Sequence, residues 1–131
     1  MSDSLYAEEI LDHYRHPRNK GPLANAFTAG DSNPTCGDEL SFHLKLTEGK
    51  ISKATFEGTG CAISQASASM LTEKLVGMTT RQVLSLSRAD IYAMLGVPIS
   101  PARNKCAMLS LKVAKMACVK ALGGEKEPGW E

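Results

Sequence analysis

The spacing of hydrophobic residues changes along the chain, and this change constrains the fold more than any other feature of the sequence. Between Leu40 and Phe56, apolar and polar residues alternate in two runs separated by Glu48-Gly49-Lys50. This pattern predicts an antiparallel hairpin with one buried face. A slip in the alternation near Lys53 indicates a bulge. After Ala62 the apolar spacing becomes helical, so the chain is predicted to be α+β, with about three antiparallel strands packed against four to five helices.

Start and stop signals delimit the predicted helices. The first begins near Ser4 and ends at His16-Pro17, because the residue before a proline disfavours helix. The later segments run from 62 to 76 before Gly77, from Thr79 or Thr80 through Leu86, from Ser87 with its capping partner Asp90 to Gly96, and from about Asn104 to Leu122 before Gly123-Gly124.

The intervening segment from Arg18 to Thr35 contains Gly and Pro breakers and no sustained period. It is predicted to be a loop with at most a short strand around Phe27. With 131 residues, the chain suits one domain over residues 1–122, followed by a flexible tail over 123–131.

Charge and composition exclude several classes of function. Fifteen basic and fourteen acidic residues give a formal charge of +1, which argues against a nucleic-acid partner. The N-terminus is acidic where a signal peptide would be basic, and no apolar run approaches the roughly 18 residues of a membrane span. We therefore expect a soluble cytoplasmic protein. In a reducing compartment, its four cysteines indicate metal binding or thiol chemistry.

Three of the cysteines lie where the chain changes direction: Cys36, Cys61 and Cys106. Gly37 lets the backbone turn so that Cys36 and Asp38 can face one centre. Cys61 and Cys106 each stand at a predicted helix start, where unpaired amide groups favour the thiolate form. Three thiolates and one carboxylate suit zinc or iron, although the sequence has no C-x2-C pair typical of zinc fingers. The alternative for each cysteine is a small buried hydrophobe.

The segments NPTCGD, FEGTGCAISQASASM and PARNKCAML, together with the opening LYAEEILDHYRHPRNKG, resemble the iron-sulfur cluster assembly family that includes IscU, SufU and the N-terminal domain of NifU. The resemblance reaches about Leu122 and implies a SufE/NifU-like fold. It implies a metal site at Cys36, Asp38, Cys61 and Cys106. The implied partners are a pyridoxal-phosphate-dependent cysteine desulfurase and recipient apoproteins, with clusters formed on a monomer or between protomers.

Two features depart from the IscU pattern. Lys105 occupies the position before the third cysteine, where IscU-type members carry a histidine, and the PARNKC form resembles the zinc-binding, sulfur-accepting SufU branch. The stretch from Cys61 to Cys106 is nevertheless short for SufU. Lys105 can pair with Asp38 or offset the charge of a cluster, and Arg103 and Lys105 are interpreted as neighbours of the site or alternative ligands. The segment Pro98-Ile-Ser-Pro101 differs from the LPPVK-type motif, so the resemblance does not extend to an Hsp70 chaperone.

Two functions follow. The first is a non-catalytic scaffold that assembles a [2Fe-2S] cluster from iron and sulfur. The second is a sulfurtransferase with Zn²⁺ at the same site. A zinc hydrolase would need Glu39 as its general base, and a purely structural zinc domain is the remaining alternative. The other reactive residue types are predicted to be structural or surface positions: Cys118; His13, His16 and His43; Ser64, Ser67 and Ser69; and Tyr6 and Tyr14, which are expected in the core.

Overall fold

The structure is a computed structural model that describes residues 3–33 and 37–123 of the chain. It confirms the predicted α+β fold. The elements in chain order are α1 Asp3–Arg15, β1 Phe27–Asn33, β2 Asp38–Thr47, β3 Lys50–Thr59, α2 Ala62–Leu75, α3 Thr80–Leu84, α4 Arg88–Leu95 and α5 Asn104–Ala121, with a 3-10 turn at Pro101–Arg103 before α5. The predicted tail after Gly123 lies outside the described residues, so the domain boundary stays a prediction.

The three strands form one antiparallel sheet in the order β1-β2-β3. The core-facing side of the hairpin carries Phe42 and Phe56, which are paired in register, fully buried and 6.3 Å apart between ring centroids. The predicted bulge is confirmed. Lys45 pairs with Lys53 and Leu46 with Ile51, so Ser52 is the extra residue on β3.

The prediction of a loop from residue 18 to 35 is wrong over β1, which is a seven-residue strand. Because β1 lies at the sheet edge and only its Ala29 is fully buried, the segment lacks the alternation that identified the hairpin. Two of its backbone groups bond outside the strand ladder: the Thr28 carbonyl accepts from Lys120 Nζ at 2.8 Å, and the Ser32 N–H donates to Asp31 Oδ1 at 2.8 Å. These bonds reduce the tendency of the edge to pair with another strand.

The helix ends lie within two residues of the predicted ones, and the largest difference is that α3 ends at Leu84 and not at Leu86. Helix α1 stops at Arg15, and α2 stops at Leu75, two residues before Gly77. A capping box joins Thr79 and Gln82 at the start of α3. At the start of α4 the Ser87 N–H donates to the Asp90 carboxylate at 2.8 Å. Helix α4 ends at Leu95, and its C-cap residue Gly96 has φ +74°, a conformation that glycine adopts without strain.

Helix α1 buries few of its apolar side chains. Ile10 is buried, whereas Tyr14 is 45% exposed and Leu11 is 41% exposed, so the assignment of Tyr14 to the core is wrong. Among the described elements, α1 makes extensive contacts only with α2. A helix that packs against one neighbour buries only a narrow face, so Tyr14 and Leu11 remain exposed. The side chain of Tyr6 lies outside the described part of the chain.

The long helices α2 and α5 pack against each other and against the sheet. Their contact is made by small residues: the Ser67 hydroxyl lies 2.7 Å from that of Ser110 and donates to the Ala107 carbonyl at 3.1 Å, and all three residues are fully buried. Small side chains allow a close approach of the two backbones. Among the described residues, no helix is both long and apolar enough to cross a membrane.

Enlarging Ser67 should separate these helices. We expect Ser67→Leu to lower the free energy of unfolding by about 1–3 kcal/mol or more, because the extra methylene groups have no space. The matched Ser67→Ala variant should lose only about 1 kcal/mol, for its hydrogen bonds. Urea denaturation followed by circular dichroism measures both. Equal losses for the two variants would show that the contact is not tightly packed.

Candidate metal site

Asp38, Cys61 and Cys106 converge on one point of the structure. One ligand atom from each residue lies within 4.8 Å of the other two, and the Cys61 sulfur is 3.9 Å from Asp38 Oδ2. A tetrahedral ion with metal–sulfur bonds of about 2.3 Å and metal–oxygen bonds of about 2.1 Å requires a sulfur–oxygen separation of about 3.6 Å. The donor set therefore fits a soft four-coordinate ion such as zinc or iron.

The predicted fourth ligand, Cys36, lies outside the described residues, and its participation stays a prediction. Its neighbour Gly37 is described and has a φ of +72°. Only glycine takes that conformation readily. Gly37 thus has the backbone conformation that suits the turn predicted between Cys36 and Asp38.

Asp38 is held in place by the start of α2. It is the first residue of β2 and fully buried, and its Oδ1 accepts the Cys61 backbone N–H at 2.8 Å. Cys61 is the N-cap residue of α2, where the amide groups at the helix end favour a negative charge. The hydroxyl of Ser64 donates to the Cys61 carbonyl at 3.1 Å. One carboxylate oxygen is thereby oriented, and the other faces the Cys61 sulfur.

Two glycines that were not predicted to belong to the site allow this close approach. A Cβ atom on Gly60 would lie 2.3 Å from Asp38 Oδ1, and one on Gly58 would lie 2.0 Å from the Glu39 carbonyl oxygen. Both residues have φ near +150°. Their position in the sequence Gly58-Thr-Gly60, directly before a candidate ligand, is the feature from which their role could have been predicted.

Cys106 enters the site from the first turn of α5 and is fully buried, whereas Cys61 is partly exposed. The Arg103 side chain lies beside the thiols of Cys106 and Cys61. The hydrogen bond to Cys106 and the charges of Cys61 and Cys106 raise the pKa of Arg103 above its ordinary value. A guanidinium therefore lies against the two thiol ligands, where it can offset negative charge.

Lys105 is placed differently. Its side chain is exposed and lines a cleft together with Asp31 and Lys112. Its predicted pairing with Asp38 stays a prediction.

Four of the residues predicted to be structural or surface positions lie apart from the candidate ligands. Cys118 is fully buried in α5, and burial raises the pKa of its thiol to about 12. The His13 ring bonds to the Ser69 hydroxyl at 2.7 Å, and the His43 ring bonds to Glu57 at 2.8 Å. His16 is exposed. Within residues 3–33 and 37–123, the metal-ligand grouping includes none of these four residues.

Glu39 is poorly positioned to serve as the general base of a zinc hydrolase. It follows Asp38 on β2, and successive residues of a strand face opposite sides of the sheet. Asp38 is buried toward the site, whereas Glu39 is exposed beside a shallow cleft on the open sheet face, together with Ser41 and Glu57.

The fold agrees with comparisons to known proteins. The sequence profile of the NifU-like N-terminal domain matches residues 5–127. The chain belongs to the NifU-like N-terminal domain family. The zinc-dependent sulfurtransferase SufU of Bacillus subtilis is 40% identical, with 93% of this chain and 95% of SufU covered. The iron-sulfur cluster assembly scaffold protein IscU of Thermotoga maritima is 35% identical, with 88% of this chain and 94% of IscU covered.

A solved structure has the same fold. The FiSufU protein of Fervidobacterium islandicum AW-1 superposes with a TM-score of 0.76 at 27% identity, covering 90% of this chain and 99% of FiSufU. The alignment with the Bacillus protein spans 139 positions, more than the 131 residues of this chain. That relative therefore contains residues that this NifU-like domain lacks.

Gly60 should be essential for metal affinity. We expect Gly60→Ala to weaken zinc binding by about 10–100-fold, because the added methyl group displaces the Asp38 carboxylate. Competition with a chromophoric chelator measures the affinity. Gly49→Ala is the matched control, since Gly49 also has a positive φ but a methyl group there meets no atom within 4 Å. If both variants bind zinc equally well, the contact between Gly60 and Asp38 does not shape the site.

Proposed function

We propose that this protein is an iron-sulfur cluster assembly scaffold. It receives iron, accepts sulfur from a cysteine desulfurase, and transfers a nascent [2Fe-2S] cluster to recipient apoproteins. The observation that carries the proposal is the convergence of Asp38, Cys61 and Cys106 within 4.8 Å in a member of the NifU-like family. Cys36 is the proposed fourth ligand. Thiolates that bind iron need a reducing compartment, and we therefore propose a cytoplasmic location.

The proposed ligands differ in how strongly they bind the cluster, and this difference allows it to be both held and released. The thiolates of Cys61 and Cys106 are strong ligands for iron, whereas the Asp38 carboxylate is a weaker one. Because Cys61 is partly exposed and Cys106 is buried, the cargo is open to a partner on the Cys61 side. Three thiolates and a carboxylate leave the site anionic after cluster binding, and the Arg103 guanidinium at the thiols reduces the electrostatic cost of that charge.

A second candidate function is zinc-dependent sulfur transfer, favoured by the 40% identity to a relative of that name and by Lys105. Asp38, Cys61 and Cys106 would hold zinc, which supplies a soft cation that keeps thiolates ionised. A cysteine of the site, released as thiolate, attacks the terminal sulfur of the desulfurase persulfide. A new sulfur–sulfur bond forms, the donor bond breaks, and the desulfurase cysteine leaves as thiolate.

A single experiment separates these functions. The protein is purified anaerobically and incubated with iron, cysteine and a cysteine desulfurase, while the visible spectrum, metal content and desulfurase rate are recorded. Charge-transfer bands with stoichiometric iron are expected for the scaffold. Persistent zinc, an accelerated desulfurase and no chromophore would identify sulfur transfer instead. If neither a chromophore nor a change in desulfurase rate is observed, both proposals are refuted and a purely structural zinc domain remains.

The Asp38 carboxylate should make the cluster labile. We expect Asp38→Ala to slow cluster transfer to an apo-ferredoxin roughly tenfold, because loss of the weak ligand over-stabilises the bound cluster. Asp38→Asn should behave similarly while keeping an acceptor for the Cys61 N–H. Glu39→Ala is the matched control, since that carboxylate is exposed on the other face of β2. Transfer from either Asp38 variant at the parental rate would contradict this role.

A further inference from the structure

A second concave surface lies beside the metal site. It is a cleft of about 490 Å³ between the end of β1, the start of α4 and the first half of α5. Met108 and Leu109 lie along it and are buried. Neither the proposed scaffold chemistry nor the metal ligands account for this cleft.

The cleft is strongly basic for a protein of nearly balanced charge. Its lining includes three cations, Arg88, Lys105 and Lys112, and one acid, Asp31. Asp31 accepts from Lys112 Nζ at 2.7 Å, so its charge is already matched. Arg88 and Lys105 come from different elements, and both side chains are exposed. The lining therefore has a formal charge of +2 in a chain whose total is +1.

The cleft and the metal site share the same segments of chain. Lys105 lines the cleft and directly precedes the ligand Cys106 on α5. On the other side, Asn33 lines the cleft at the end of β1, five residues before the ligand Asp38. A molecule bound in the cleft consequently lies next to the metal ligands.

We infer that this cleft docks an acidic segment of the cysteine desulfurase, an inference that rests on the proposed function. Exposed cations beside a reactive site attract an oppositely charged protein surface and accelerate its docking. The buried side chains of Met108 and Leu109 supply an apolar floor against which such a segment can pack. Nucleic acid is a poorer fit, because the acidic side chains of Glu39 and Glu57 cover the neighbouring sheet face.

Charge reversal at Arg88 tests the inference. The measurement is the steady-state rate of the desulfurase as a function of the concentration of this protein, at low and high salt. Arg88→Glu should raise KM by about fivefold or more at low salt, leave kcat and zinc content unchanged, and weaken the salt dependence. Lys105→Glu should raise KM as well. Lys53→Glu is the matched control, since Lys53 is exposed and lies near the Lys50 end of β3, whereas the Thr59 end leads to Cys61.

The possible results have distinct meanings. If Arg88→Glu and Lys105→Glu both give the parental KM and salt dependence while the parent accelerates the desulfurase, the docking inference is wrong and the proposed function stands. If Lys53→Glu raises KM as much as Arg88→Glu, the effect is one of total charge, and the inference is also wrong. If the parent neither accelerates the desulfurase nor accepts its sulfur, the proposed function fails, and the inference fails with it.

Discussion

The hydrogen bond from the Cys61 N–H to the buried Asp38 carboxylate joins the strand and helix parts of the fold at the candidate metal site. It connects the first residue of β2 to the N-cap of α2, 23 residues later in the chain. A buried carboxylate needs strong hydrogen bonds to offset the loss of water, and a helix N-terminus supplies a donor together with a favourable dipole. The same bond therefore stabilises the fold and orients the Asp38 carboxylate, a candidate metal ligand.

The position of Cys106 depends on a different contact. Helix α5 approaches α2 closely because Ser67, Ala107 and Ser110 occupy little volume and satisfy one another's polar groups. Cys106 directly precedes Ala107 at this interface, so the close approach of the helices also brings its sulfur toward Cys61. Residues outside the candidate metal site thus set the distance between two of its candidate ligands.

Charge is unevenly distributed around this packed centre. Arg103 contacts the thiols, Arg88 and Lys105 face the adjoining cleft, and Glu39 and Glu57 lie on the open face of the sheet. The total charge of +1 conceals this arrangement. For the proposed scaffold, distinct faces are useful because complementary charge selects both the partner and its orientation.

The sequence by itself determined the features that depend on near neighbours. The hairpin of β2 and β3, its bulge, the starts of α3 and α4 at Thr79 and Ser87, and the choice of Asp38, Cys61 and Cys106 as candidate ligands all follow from spacing, caps and residue type. Such signals act over a few residues, where the local geometry of the chain determines which residues come into contact.

Only the tertiary structure decided the rest. It showed that β1 is an edge strand, that Tyr14 faces solvent, that Gly60 leaves room for Asp38, and that Lys105 lines a basic cleft. Each of these depends on which segments pack together across long separations in the chain. Local periodicity carries no information about that packing, because the same pattern is compatible with several arrangements of neighbours.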